Sequence, residues 1–138
     1  MIKDMAIKIK LYQHKRKDLQ GKWYGRTVKA GEVTTKDLAR IISHNNSVTE
    51  SDVHGVIIAL VKEMKNYLRD GHTVVLDDFG RFHLTVQSEM VEKKEDFDLR
   101  KHIRRVLCKF TPAGHRNPFN RKLERPFCDY VDIERWQY

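Results

Sequence analysis

The amino-acid sequence predicts a mixed α+β domain preceded by an extra strand segment. Three observations carry the prediction. Apolar residues from Val53 to Leu68 recur at helical spacing. A glycine-aromatic turn, Asp77-Asp78-Phe79-Gly80-Arg81-Phe82, lies between two strand patterns. Strand character then returns at Ile103-Arg104-Arg105-Val106-Leu107-Cys108-Lys109-Phe110, and Thr111-Pro112-Ala113-Gly114 ends it. A chain of 138 residues has room for one domain with a modest core and extensions.

Taken in order, residues 6–12 alternate as a half-buried strand. The polar, basic stretch His14 to Lys22 connects them to a second short strand, Trp23 to Val28, so that the two suit a hairpin with a long loop. A short helix is expected over about 34–44, with Leu38, Ile41 and Ile42 on one face, and Asn45-Asn46-Ser47 breaks it. The next helix has a strong start: Thr49 is a natural N-cap, Asp52 follows three residues later, and Val48 and Val53 are placed as a hydrophobic staple. It runs to about residue 69, where Gly71 is the expected C-terminal cap. Thr73-Val74-Val75-Leu76 reads as a strand, the turn follows, and 81–87 alternates with Phe82, Leu84 and Val86 on one side. Residues 88–101 are polar and mixed in charge. Pro118 and Pro126 argue against a long terminal helix, while Phe127, Tyr130, Val131, Ile133 and Trp136 mark a tail that packs onto the domain. The divisions expected are 1–33 as a basic strand extension, 34–113 as the central domain and 114–138 as the tail.

Charge and composition narrow the partners. Net charge is +8, which points to a polyanion. It is unevenly spread: residues 1–33 carry +6, 34–90 carry −2, 91–109 carry +3 and 110–138 carry +1. Charged residues make up 33% and hydrophobic ones 40%, which fits a folded chain and not a disordered one. No apolar run is long enough to span a membrane, and Met1-Ile2-Lys3-Asp4-Met5-Ala6 lacks the apolar core of a signal peptide. Two cysteines, Cys108 and Cys128, form no disulfide framework and fit a reducing cytoplasm.

The order of two helices, the Asp78-Phe79-Gly80-Arg81-Phe82 turn, a long hairpin and Phe110-Thr111-Pro112 resembles the HU and integration-host-factor family of histone-like DNA-binding proteins, over about residues 34–113. The basic strands ahead of it resemble that family's extended bacterial subgroup. The resemblance implies a dimeric fold in which two helices pack on a three-stranded antiparallel sheet that extends a β-arm. Physics agrees, because such a unit buries too little surface alone; Phe79, Phe82, Leu60 and Met64 are the expected dimer core. It further implies duplex DNA held by the sheets and arms through phosphate contacts with little sequence preference. Arg81, Lys93, Lys94, Arg100, Lys101, Arg104, Arg105 and Lys109 are the expected contacts. Arg100, Lys101, Arg104, Arg105 and Lys109 are read onto the returning strand, with Arg104 facing one way and Arg105 and Lys109 the other. A nucleoid-associated homodimer in the cytoplasm follows, with no metal, cofactor, small-molecule substrate or enzymatic activity. The alternative is the same scaffold serving as a protein–protein interaction module.

The arm departs from the family pattern. Its tip, Val91 to Asp98, is short of net positive charge and has no proline, while Arg116-Asn117-Pro118, the family's wedge motif, falls well past the arm. Phe97, an aromatic side chain in that tip, is the candidate wedge. The basic loop Lys15-Arg16-Lys17 with Lys22, Arg26, Trp23 and Tyr24 suits an auxiliary nucleic-acid surface or a solvated loop beside a core tryptophan. His72, Asp77, Asp78 and His83, and separately Cys108, His115 and Cys128, lack the short ligand pairs of zinc sites. Adjacent Asp77 and Asp78 suit turn capping better than acid–base chemistry. Gly55, inside the long helix, suits either close packing at a dimer interface or simple tolerance.

Overall fold

The computed structural model describes residues 5–137; Met1-Ile2-Lys3-Asp4, part of the stretch read for a signal peptide, lies outside the described residues. The chain forms two compact units, one of residues 34–127 and one made from 1–33 together with 128–138. The tail from 114 onward therefore divides between them after Phe127.

The larger unit begins with α1 (Thr35–Asn45) and α2 (Glu50–Arg69). Both starts are chemical. The Thr34 hydroxyl accepts from the Asp37 N–H (3.3 Å), while the Thr34 N–H donates to the Asp37 carboxylate (3.0 Å), a reciprocal capping box. The Thr34 N–H and the Thr34 hydroxyl, which also donates to the Asp37 carboxylate (2.7 Å), hold that carboxyl below its ordinary pKa, the backbone bond contributing most. At α2 the Thr49 hydroxyl accepts from the Asp52 N–H (3.2 Å) and donates to its carboxylate (2.7 Å). Gly71, at φ 83°, ends α2: its N–H reaches the Leu68 carbonyl (3.1 Å) and the His72 N–H reaches the Tyr67 carbonyl (3.0 Å). This is a Schellman closure, and the His72 and Tyr67 rings meet edge-on at 5.6 Å across it.

Three strands follow in the order β3 (Val74–Leu76), β4 (Gly80–Ser88), β5 (Ile103–Pro112), all antiparallel. The Leu76–Phe79 turn is closed by the Phe79 N–H on the Leu76 carbonyl (3.1 Å), with Asp78 at φ 61°. Gly80 is buried at φ 154°, and a Cβ there would meet the Thr111 carbonyl oxygen and the Phe110 ring edge, so only glycine fits. A short hairpin of β6 (His115–Arg116) and β7 (Leu123–Glu124) completes the unit.

Helix α1 packs on α2, and α2 packs on β3 and β4. The apolar surface is far from fully used. Ala39 is the only buried hydrophobic side chain among the described residues, and α2 buries none outright. Val56, Val61, Val86 and Val106 stay 67%, 58%, 54% and 59% exposed.

In the smaller unit β1 (Ala6–Gln13) pairs antiparallel with β2 (Trp23–Val28), from Lys8 opposite Val28 to Gln13 opposite Trp23. On its other edge β1 takes β8 (Asp132–Arg135) in parallel. That third strand was not legible in the sequence, which showed only an apolar tail.

Candidate nucleic-acid interface

The ribbon β4–β5 sorts its side chains by face. Pairing sets Arg81 opposite Thr111, His83 opposite Lys109, Thr85 opposite Leu107 and Gln87 opposite Arg105. Alternation therefore places Arg81, His83, Gln87, Arg105 and Lys109 on one face, and Phe82, Leu84, Val86, Val106, Cys108 and Phe110 on the other. Helix α2 packs on part of the second face, where Leu84 lines a recess with Val61, Met64 and Leu68. The first carries the cations, with Leu107 between Arg105 and Lys109.

Each expected contact residue has a definite place. Arg105 donates through Nε to the Gln87 side-chain oxygen (2.7 Å), a neutral partner, and no carboxylate pairs with it among the described residues. Arg104 instead donates to the Glu89 carboxylate (3.1 Å). The register slips between Gln87 and Ser88, which face Arg105 and Ile103, so Arg104 is the extra residue of a β-bulge. Strict alternation fails there, and the expectation that Arg104 simply faces away from Arg105 is corrected accordingly. Arg81 lies beside a recess of about 330 Å³ that Asp77, Asp78 and Arg125 also line.

Arg100 and Lys101 are not on the returning strand. They sit in a one-turn helix, α3 (Leu99–His102), ahead of β5. The Asp98 carboxylate accepts from the Arg100 and Lys101 N–H groups (2.8 and 3.3 Å), and the Asp98 N–H donates to His102 Nδ1 (2.8 Å). An aspartate cap followed by Leu-Arg-Lys-His was the sequence signal for this turn. Lys94 begins a 3₁₀ turn over Lys94–Asp96, with Lys93 just before it. Residues 92–101 hold four basic and four acidic side chains, so the tip is electrically balanced. Phe97 is half-buried against the His102 ring at 5.4 Å.

Phe79 and Phe82 join Phe110 and Phe127 in one aromatic cluster: Phe82 and Phe110 stack at 4.8 Å, and Phe79 lies 5.6–5.7 Å from the other three rings. Phe79 remains 45% exposed within the chain. Leu60 is exposed and Met64 half-buried on α2. In the Arg116-Asn117-Pro118 segment the asparagine organises the β6–β7 turn. Its side-chain oxygen accepts from the Phe119 and Asn120 N–H groups (2.9 and 3.4 Å), and its amide donates to Glu124 (2.8 Å). Among the described residues no three His, Cys, Asp or Glu side chains gather as a metal site would require, and no helix is long and apolar enough to cross a membrane.

A pair of capped helices, of which α2 and not α1 packs on a three-stranded sheet that continues as the β4–β5 ribbon, is a mixed α+β arrangement consistent with an HU-like domain. The family model described as an HU domain fused to a wHTH, Ig or glycine-rich motif matches residues 5–123, and the chain belongs to that family. A crystal structure from Bacteroides vulgatus, of a protein named for an inferred bacterial DNA-binding role, shares the fold at a TM-score of 0.60 and 11% identity. The likeness covers 94% of this chain and 47% of that one, so the chain spans about half the length of its structural relative. No curated protein matches it.

Proposed function

We propose that this chain acts as a homodimer that grips duplex DNA through its phosphates with little base preference, as a nucleoid-associated protein of the cytoplasm. The observation that carries the reading is the separation of faces on β4–β5, with Arg81, His83, Arg105 and Lys109 on one side and the apolar surface, part-covered by α2, on the other. A cationic strip on a twisted two-stranded ribbon suits a backbone with one phosphate charge every few ångströms. Lys93, Lys94, Arg100, Lys101 and Arg104 serve as secondary contacts, because acidic neighbours offset them. Membership of an HU family and a structural relative named for inferred DNA binding support the reading.

The dimer is supported by surface left over. Val61, Val86, Val106, Phe79 and Leu60 are between 40% and 59% exposed, far more apolar area than a stable monomer tolerates. Phe79, Phe82, Leu60 and Met64 form the core of the proposed interface. A protein–protein role for the same scaffold draws on one observation, the balanced charge of the arm tip. Titrating a labelled duplex at increasing salt, alongside a native mass measurement, separates the two. DNA binding predicts a steep loss of affinity with salt and a dimeric mass; no binding to any duplex at low salt refutes it.

A further inference from the structure

The smaller unit carries a second cationic surface of different chemistry. On β1–β2, Tyr12 stands opposite Tyr24 and Lys10 opposite Arg26. The tyrosine rings lie 6.1 Å apart. The Arg26 guanidinium sits over both, at 5.8 and 5.3 Å, and the Lys10 ammonium is 5.9 Å from the Tyr12 ring. Both tyrosines remain substantially exposed, at 40% and 36%. They are not packing residues of the sheet's aliphatic side: Ile9 and Leu11 lie on the opposite face, where a Cβ added to Gly25 would touch them at 3.4 and 3.9 Å. The tyrosine face is instead polar, with Lys8 beside Lys10 and paired with Glu134 at 3.5 Å.

The track continues past the tyrosines. His14 packs on Tyr24 at 5.5 Å and opens a depression of about 650 Å³ lined by Gln13, His14, Lys15, Lys17, Gln20 and Gly21. Its loop is held in place by the His14 N–H on the Lys22 carbonyl (2.8 Å). From Lys8 to His14 the path runs roughly 20 Å at the ordinary strand rise. Lys10 and Arg26 on one side, Lys15 and Lys17 on the other and stackable rings between them are what a flexible polyanion with flat bases requires; a duplex hides those base faces. The +6 charge of residues 1–33 supplies the matching sign.

We propose that the Lys10–Tyr12–Tyr24–Arg26 face is a binding site for single-stranded nucleic acid, with bases stacked on the tyrosines and phosphates drawn to Lys10, Arg26, Lys15 and Lys17. It stands on residues other than those of the arm and does not depend on the duplex reading. The test uses the full chain and short fluorescein-labelled oligothymidylate and oligouridylate, read by anisotropy, with a labelled duplex in parallel. Tyr12→Thr with Tyr24→Thr, which retains strand-forming residues, should weaken single-strand binding by roughly tenfold or more and leave duplex affinity within about twofold. Lys10→Gln with Arg26→Gln keeps the rings and should make the single-strand salt slope shallower by about 1.4. Arg105→Gln with Lys109→Gln should reduce duplex binding and spare both oligonucleotides. Binding of either oligonucleotide with these losses supports the proposal, the tighter one naming the sugar preferred. It is overturned if neither oligonucleotide binds, if the face variants bind as the parent does, or if the face variants lose duplex and single-strand binding together.

Discussion

Neutralising the cationic strip of the β4–β5 ribbon is the sharpest test of the proposed contact with DNA. The perturbation is the triple change Arg81→Gln, Arg105→Gln and Lys109→Gln. All three side chains belong to one face, and among the described residues none is in an ion pair with a carboxylate at 4.0 Å or less. Each phosphate contact adds about 0.9 to the magnitude of the log–log salt slope on B-form DNA. Three per protomer amount to about 2.7, and a dimer using both strips to about 5.4. Over a rise from about 50 to about 200 mM salt, that part of the slope alone corresponds to roughly a thousandfold change in affinity. The triple variant should therefore bind more weakly at low salt and lose far less as salt rises, for duplexes of any sequence. Arg104→Gln is the comparison. Its guanidinium already meets Glu89 at 3.1 Å, so local charge is balanced and the slope should move by less than one contact's worth. Anisotropy of a labelled duplex across a salt series measures both. An unchanged slope in the triple variant, or an equal effect from Arg104→Gln alone, would refute the assignment of this face.

Gly80→Ala should lower stability by at least about 2 kcal/mol, because a left-handed φ is costly for alanine and its Cβ would run into the Thr111 carbonyl and the Phe110 ring; a drop in the urea midpoint of about 1 M checks it. Gly55→Ala should do the reverse, adding up to about 1 kcal/mol, since nothing lies within 4 Å of the added carbon and alanine is the better helix former; a stability loss with dissociation would instead place Gly55 in a tight helix–helix contact between copies. The Asp37 carboxyl titrates below its unfolded value because Thr34 bonds the charged form. Its contribution is whole above the ordinary aspartate range near ~3.9 and disappears as pH falls through the lower folded value. Thr34→Ala should return the Asp37 titration, followed by NMR, upward toward the ordinary range.

Much of the larger unit was legible because its signals are local. Thr34, Thr49 and Gly71 act within one helical turn, and the 3.6-residue spacing of Val53, Ile57, Leu60, Met64 and Leu68 needs only near neighbours. The glycine turn was legible too, and the structure adds why position 80 tolerates nothing larger. The arm was harder. Residues 88–101 looked like featureless polar sequence, yet Asp98 caps a helical turn that takes Arg100 and Lys101 off the strand. His83, read only as a possible metal ligand, joins the cationic strip because it faces Lys109 across the ribbon.

By itself the sequence determined the order of elements, the ends of both helices, the turn at Gly80 and the excess of positive charge in the first 33 residues. Only the tertiary structure decided which cations share a face, because that depends on cross-strand register and on a single bulged residue at Arg104. A one-residue slip moves every side chain of a strand to the other side, and no local pattern records it. The pairing of β8 with β1 is decided in the same way, between segments more than a hundred residues apart whose contact depends on where the intervening chain folds. Local free energies were written in the sequence; the faces that a ligand meets were set by long-range pairing.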